Sequence, residues 1–188
     1  MEEFIRRLCE VYPLPDEEIQ VLLEHTEQIV LPKGSRITTA GKVECYTYFI
    51  VEGLARGFFT QEGKDITIWF ASVGMALLSM NGYVYGKAGY ENIELLEESR
   101  LLRIRNEQLN VLFETYNGLA NLGRRMSDVV VLKLERLFME RNFMPAARRY
   151  HSLMEHEPEI LKKVPLRHIA SYLGISQVSL SRIRAGVQ

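Results

Sequence analysis

From position 29 to about 105 the chain carries short runs rich in β-branched and aromatic residues, at 29–31, 36–38, 46–51, 55–59, 66–70, 93–96 and 101–104. Glycines or charged residues separate them, with Gly34, Gly41, Gly53, Gly63 and Gly74 at the corners. This spacing predicts a small antiparallel sandwich or jelly roll. Ahead of it, Pro13-Leu14-Pro15-Asp16-Glu17-Glu18 predicts a helix start running to about His25, because carboxylates favour the positive end of the helix dipole. After Arg105 the period becomes helical. Leu119, Leu122, Met126, Val129 and Val130 continue into Leu134, Leu137 and Phe138, which predicts one long helix from about 118 to 141. The stripe is too wide for a single narrow seam, so one side is expected on the roll and the other on a second copy. A homodimer follows, with Leu119, Leu122, Met126, Val129 and Val130 assigned to its interface. Pro145 and Pro158 then punctuate a smaller helical region, whose helix from 146 to 157 is expected to support the end of the chain.

That end has a pattern of its own. Ile169, Leu173 and Ile175 form one apolar edge, and Leu180 and Ile183 another at helical spacing. Ala170 is small enough for two helices to cross closely, Gly174 can take the positive φ of a turn, and Ser176 suits the N-cap of a second helix. Together they predict a helix-turn-helix, and DNA as the partner. With Leu180 and Ile183 turned inward, the outer face presents Gln177, Val178, Ser181 and Arg182. Arg182 matches the acceptor pair of guanine and Gln177 the donor and acceptor of adenine, while Val178 can pack on a thymine methyl. Ser176, Ser179, Lys162, Lys163 and Arg167 are better placed for phosphates, which position a protein without specifying sequence.

Charge agrees with contact through one end. Residues 133–188 hold ten Lys or Arg against five Asp or Glu, a balance of +5, whereas the first 132 hold thirteen against nineteen, a balance of −6. The 188 residues are 47% hydrophobic and 25% charged, enough for one good core and a small second one. No apolar run approaches the ~20 residues that span a bilayer, and the start, Met1-Glu2-Glu3-Phe4-Ile5-Arg6-Arg7, lacks a signal-peptide pattern, so a cytoplasmic location is expected. Cys9 and Cys45 are isolated, suggesting two reduced thiols. A jelly roll can also carry a metal enzyme, but converging imidazole ligands are needed, and residues 29–105 contain no histidine. Neither a nucleophile elbow, a phosphate loop nor a zinc motif is present, so no enzyme is expected and no metal site is assigned.

A roll, a long helix and a C-terminal helix-turn-helix, in that order, resemble the Crp/Fnr superfamily of bacterial transcription regulators over nearly the full chain. The likeness rests on Leu31-Pro32-Lys33-Gly34, Gly41, Tyr48-Phe49-Ile50-Val51-Glu52-Gly53, Trp69-Phe70, and the segment from Ile169 through Leu173-Gly174-Ile175-Ser176 to Ser179-Leu180-Ser181-Arg182-Ile183. It implies an α+β fold: an N-terminal double-stranded β-helix, a jelly roll like a cyclic-nucleotide-binding domain, at 1–116; a dimerisation helix at 117–142; and a winged-helix-like helix-turn-helix domain at 143–188. Its wing is expected to be truncated, since four residues follow Arg184. The implied function is a homodimeric, sequence-specific regulator reading an inverted repeat in double-stranded DNA, with RNA polymerase as a further possible partner. The alternative is a ligand-binding or scaffold module whose degenerate helix-turn-helix contacts a protein.

The resemblance also predicts what the roll does not bind. Members that bind cyclic AMP use a Gly-Glu pair for the ribose and an Arg for the cyclic phosphate. Here the pair reads Gly74-Met75, and Tyr90 stands in place of the Arg. Lys87 is a point charge on a flexible stem and does not replace a bidentate clamp. Losing two charge-assisted bonds of ~1.5–3 kcal/mol each argues against cyclic AMP. Three readings of the roll stay open: another small-molecule effector, at a site assigned to Gly74, Met75, Ala76, Lys87 and Tyr90; a scaffold without ligand; or haem or redox sensing, for which His25 and Cys45 have no supporting pattern. No cofactor is assigned.

Overall fold

The structure is a computed structural model and describes residues 1–186. It begins with a helix that the sequence reading did not anticipate, α1 (Glu2–Val11). Phe4 and Leu8, four apart, are buried on one face, while Arg6 and Arg7 pair with Glu3 and Glu10 on the other. The period was present in the sequence but short, and alternating charges mask it. Helix α2 (Asp16–Glu24) follows Pro15 and buries Ile19 and Leu22.

Eight strands occur among the described residues: β1 (Glu27–Leu31), β2 (Arg36–Thr38), β3 (Tyr46–Glu52), β4 (Ala55–Gln61), β5 (Lys64–Ala71), β6 (Ala76–Leu77), β7 (Asn92–Leu95) and β8 (Ser99–Arg105). They form two four-stranded sheets, ordered β1-β8-β3-β6 and β2-β7-β4-β5. In the first, antiparallel ladders set Ile29 opposite Leu101 and Phe49 opposite Leu102. β3 and β4 turn at Gly53, where a side chain would be impossible. Its φ is +124°, and a Cβ would lie 2.1 Å from Ser99 Oγ.

Between β6 and β7 the chain forms a further helix, α3 (Met80–Tyr85), opened by the Ser79 hydroxyl accepting from the Gly82 amide and closed by Gly86 in the left-handed region. β6 and α3 are both too short to register as a period.

Helices α4 (Asn106–Thr115) and α5 (Asn117–Phe143) come next. One core gathers Phe4, Leu8, Leu22, Phe49, Leu102 and Leu109 with Leu119 and Leu122 of α5. Leu119 and Leu122 are 1% and 3% exposed, and Met126 packs against the same cluster. Leu119 and Leu122 therefore serve the chain's own core, which corrects their assignment to a dimer interface, while Met126 stays half-exposed. A wide stripe on a helix cannot say which edge faces its own domain, and here the N-terminal edge does.

The chain divides into two compact units. The first comprises Met1–Gly57 and Phe70–Val129; the second comprises Phe58–Trp69 and the chain from Val130 onward. The division falls within α5 and takes in the hairpin end of β4 and β5.

The second unit contains α6 (Ala146–His156), α7 (Pro158–Lys163), α8 (Leu166–Leu173) and α9 (Gln177–Arg184). Leu153, Ile160, Val164, Ile169, Leu173 and Leu180 are all buried there. A polar network accompanies them. Glu157 takes Lys133 Nζ at 2.7 Å and the Tyr172 hydroxyl at 3.5 Å, and Ser152 donates to Glu140, which is 7% exposed. Burial holds the Tyr172 phenol well above its ordinary pKa, so it remains a donor.

Candidate nucleic-acid interface

The geometry of α8, its turn and α9 follows from how their backbone groups are satisfied. A helix leaves its last four carbonyls without helical partners. In α8 two are met by the turn itself: Gly174, at φ 67°, donates to Ser171 O at 3.1 Å, and Ile175 donates to Ala170 O at 3.0 Å. The other two are met by arginines. Arg141 Nη2 donates to Tyr172 O at 2.6 Å, and Arg149 Nε to Leu173 O at 3.0 Å. Guanidinium charge at this end also complements the negative pole of α8. The next helix opens as its sequence predicts, with the Ser176 hydroxyl accepting from the Ser179 amide at 3.0 Å.

Ile169, Ala170, Leu173 and Leu180 are buried, which turns the rest of α9 outward. Gln177, Val178, Ser179, Ser181 and Arg182 are exposed along it, Val178 at 62%. Ser176 is exposed too, its hydroxyl also 2.9 Å from Ser179 Oγ. Lys162, Lys163 and Arg167 are exposed as well. Lys162 pairs with Glu159 at 2.6 Å, a bond that holds the Glu159 carboxyl below its ordinary pKa. Arg167 Nε donates to His168 Nε2 at 3.3 Å. The arrangement offers a helix face with one guanidinium, one carboxamide, hydroxyls and an apolar patch, flanked by cations. Such a set can read base edges while holding phosphates. Val187 and Gln188, on which the expectation of a truncated wing partly rests, lie outside the described residues.

The five residues assigned to an effector site differ in burial. A Cβ on Gly74 would lie 2.5 Å from Arg7 Cβ, so that backbone is covered by α1. Ala76 packs on the core described above, and Met75 is half-buried. Lys87 is exposed, and Tyr90 is 68% exposed. An open cleft of about 290 Å³ lies elsewhere in the first unit, where Tyr46 has the Arg103 and Arg105 guanidinium carbons 4.9 and 5.2 Å from its ring centroid. None of the five lines it. Cys9 is half-buried and Cys45 exposed, both as free thiols. Among the described residues, no helix is long and apolar enough to cross a membrane.

Sequence reading missed Arg141, Arg149 and Ser171, all of which make structural bonds around α8. Arg141 and Arg149 act on carbonyls 24–31 positions away. No local pattern could have flagged them.

No family model matches the sequence, and no curated protein matches it. Solved structures do. The chain is similar to FixK2 from Bradyrhizobium japonicum, with a TM-score of 0.74, 15% identity, and coverage of 86% of this chain and 84% of that one. It is similar to the c-di-GMP responsive global regulator CLP of Xanthomonas campestris, with a TM-score of 0.74 and 17% identity over 93% of this chain and 92% of that one. A third likeness is to a putative transcriptional regulator of the crp/fnr family from Eubacterium rectale, with a TM-score of 0.70 and 16% identity over 94% and 87%. At these identities the likeness is one of fold alone.

Proposed function

We propose that the protein is a homodimeric, sequence-specific DNA-binding regulator of transcription of Crp/Fnr type, and not an enzyme. The observation that carries this reading is the α9 face. Gln177, Val178, Ser181 and Arg182 stand exposed on a helix capped by Ser176 and anchored by Leu180. The fold shared with two proteins named as regulators supports it.

Two such helices reading an inverted repeat would enter successive major grooves roughly 34 Å apart. The second copy is supplied by α5. Val131, Leu132, Leu134, Phe138 and Met139 are 47–64% exposed, more apolar surface than a lone helix retains in water. A second α5 has the matching chemistry and length, and Val129 and Val130, themselves exposed, extend the same surface. RNA polymerase is a further partner under this reading, and the cytoplasm its location.

The roll is not proposed as a cyclic AMP site, because Met75 and the exposed Tyr90 offer neither the carboxylate nor the guanidinium that ligand requires. An effector of other chemistry would act by biasing the orientation of α5.

Selection of random duplexes by the purified protein at near-physiological salt tests the proposal. Recovery of a two-fold symmetric site is expected. No enrichment, with affinity for duplex flat between low and moderate salt, would instead favour a protein partner for α9.

A further inference from the structure

Strand β5 is the outer strand of the sheet β2-β7-β4-β5, so one row of its backbone groups has no strand beside it. Such an edge normally meets water or templates pairing with another chain. Here side chains close it. Ser171 Oγ accepts from the Thr67 amide at 2.9 Å and donates to Asp65 O at 3.0 Å. Asp65 and Thr67 are two apart, so these groups share the outer edge. The third group on that edge, Thr67 O, accepts from Arg141 Nη2 at 3.2 Å, and the same nitrogen holds Tyr172 O at 2.6 Å. The hairpin end Phe58–Trp69 accordingly falls in the same compact unit as α8 and α9.

We propose that this edge clamp makes the β4–β5 hairpin a positioning element of the DNA reading head, with Ser171 and Arg141 as positioning residues that set the orientation of α8 and, through the Gly174 turn, of α9. The inference rests on the DNA-binding reading given above. Positioning, rather than blocking, is the role because the clamp engages α8 while Gln177, Val178 and Arg182 of α9 stay exposed. One hydroxyl makes both of the Ser171 bonds, in the way one residue of a neighbouring strand would. A side chain lacking it leaves the Thr67 amide and the Asp65 carbonyl without these partners. Arg141 couples the same edge to the last turn of α8, so a displaced hairpin would pull on the carbonyl that ends the first helix of the pair.

The test compares full-length wild type with Ser171→Ala and Ser171→Thr, the second retaining the hydroxyl. Two quantities are read: hydrogen exchange at the Thr67 amide without DNA, and affinity for both a selected duplex and a random one. In Ser171→Ala the Thr67 amide is expected to exchange about tenfold faster and affinity for the selected duplex to fall about tenfold, as loss of one or two neutral hydrogen bonds implies. Random-duplex affinity should stay unchanged, since phosphate contacts are untouched, and Ser171→Thr should restore both readouts. Unchanged exchange at Thr67 overturns the clamp. Faster exchange with unchanged selected-site affinity, or with equal loss on both duplexes, overturns the positioning role. A wild type that binds no duplex overturns the DNA reading itself, while the exchange measurement still decides whether the clamp forms.

Discussion

Glu18 caps a helix that begins a hundred residues later. Its Oε2 accepts from the Leu119 amide at 2.7 Å and its Oε1 from the Gly118 amide at 3.3 Å, so a carboxylate of α2 meets the free amides and the positive pole of α5. The approach is close enough that a Cβ on Gly118 would fall 2.3 Å from Glu18 Oε2. Glu18→Ala should cost about 1 kcal/mol, the usual value of a lost cap, and Glu18→Gln less. Thermal unfolding checks this, and no loss in Glu18→Ala would mean that water caps α5 equally well.

Leu122 and Leu132 lie ten positions apart on α5 and should behave oppositely. Leu122 is 3% exposed in the core, so Leu122→Ala should destabilise by about 2–5 kcal/mol with the oligomeric state unchanged. Leu132 is 64% exposed, and Leu132→Glu should leave the fold intact while producing a monomer by sedimentation. A dimer persisting in Leu132→Glu and in Phe138→Glu would exclude α5 as the interface.

The end of α8 depends on a backbone conformation and on a distant side chain. Gly174→Ala forces a Cβ into the left-handed region, at about 1–2 kcal/mol. Nothing lies within 4 Å of the added atom, so this is conformational strain alone. Arg149→Leu removes the donors to Leu173 O and Met144 O, and should cost about 1–3 kcal/mol. Chemical denaturation of the two single variants separates strain from lost bonding.

Arg182→Ala should lower affinity for the selected duplex about ten- to hundredfold, corresponding to one bidentate base contact. The dimer should be unaffected, and specificity should relax at a single base position in each half-site. Lys163→Ala should instead weaken all duplexes alike and flatten the salt dependence. Equal effects of both substitutions on random DNA would remove Arg182 from the reading face.

What was legible in the sequence was local. Alternation and glycine corners marked most of the strands, the 3.6-residue period marked α5, and Gly174 with Ser176 marked the turn before α9. Each is a property of residues within one or two turns of one another, where backbone sterics and side-chain hydrogen bonds act. Which face of an element finds which neighbour was decided by packing. Only the assembled core shows that Leu119 and Leu122 look inward, because a wide apolar stripe satisfies either orientation. Only the fold brings Arg7 over Gly74, since α1 meets that turn from 67 positions away. The closing of the β5 edge by Ser171 and Arg141 was equally invisible. It joins backbone groups to side chains 74 to 106 positions apart, and a hydrogen bond of that kind leaves no period and no motif in the sequence, only a need for partners that the fold satisfies.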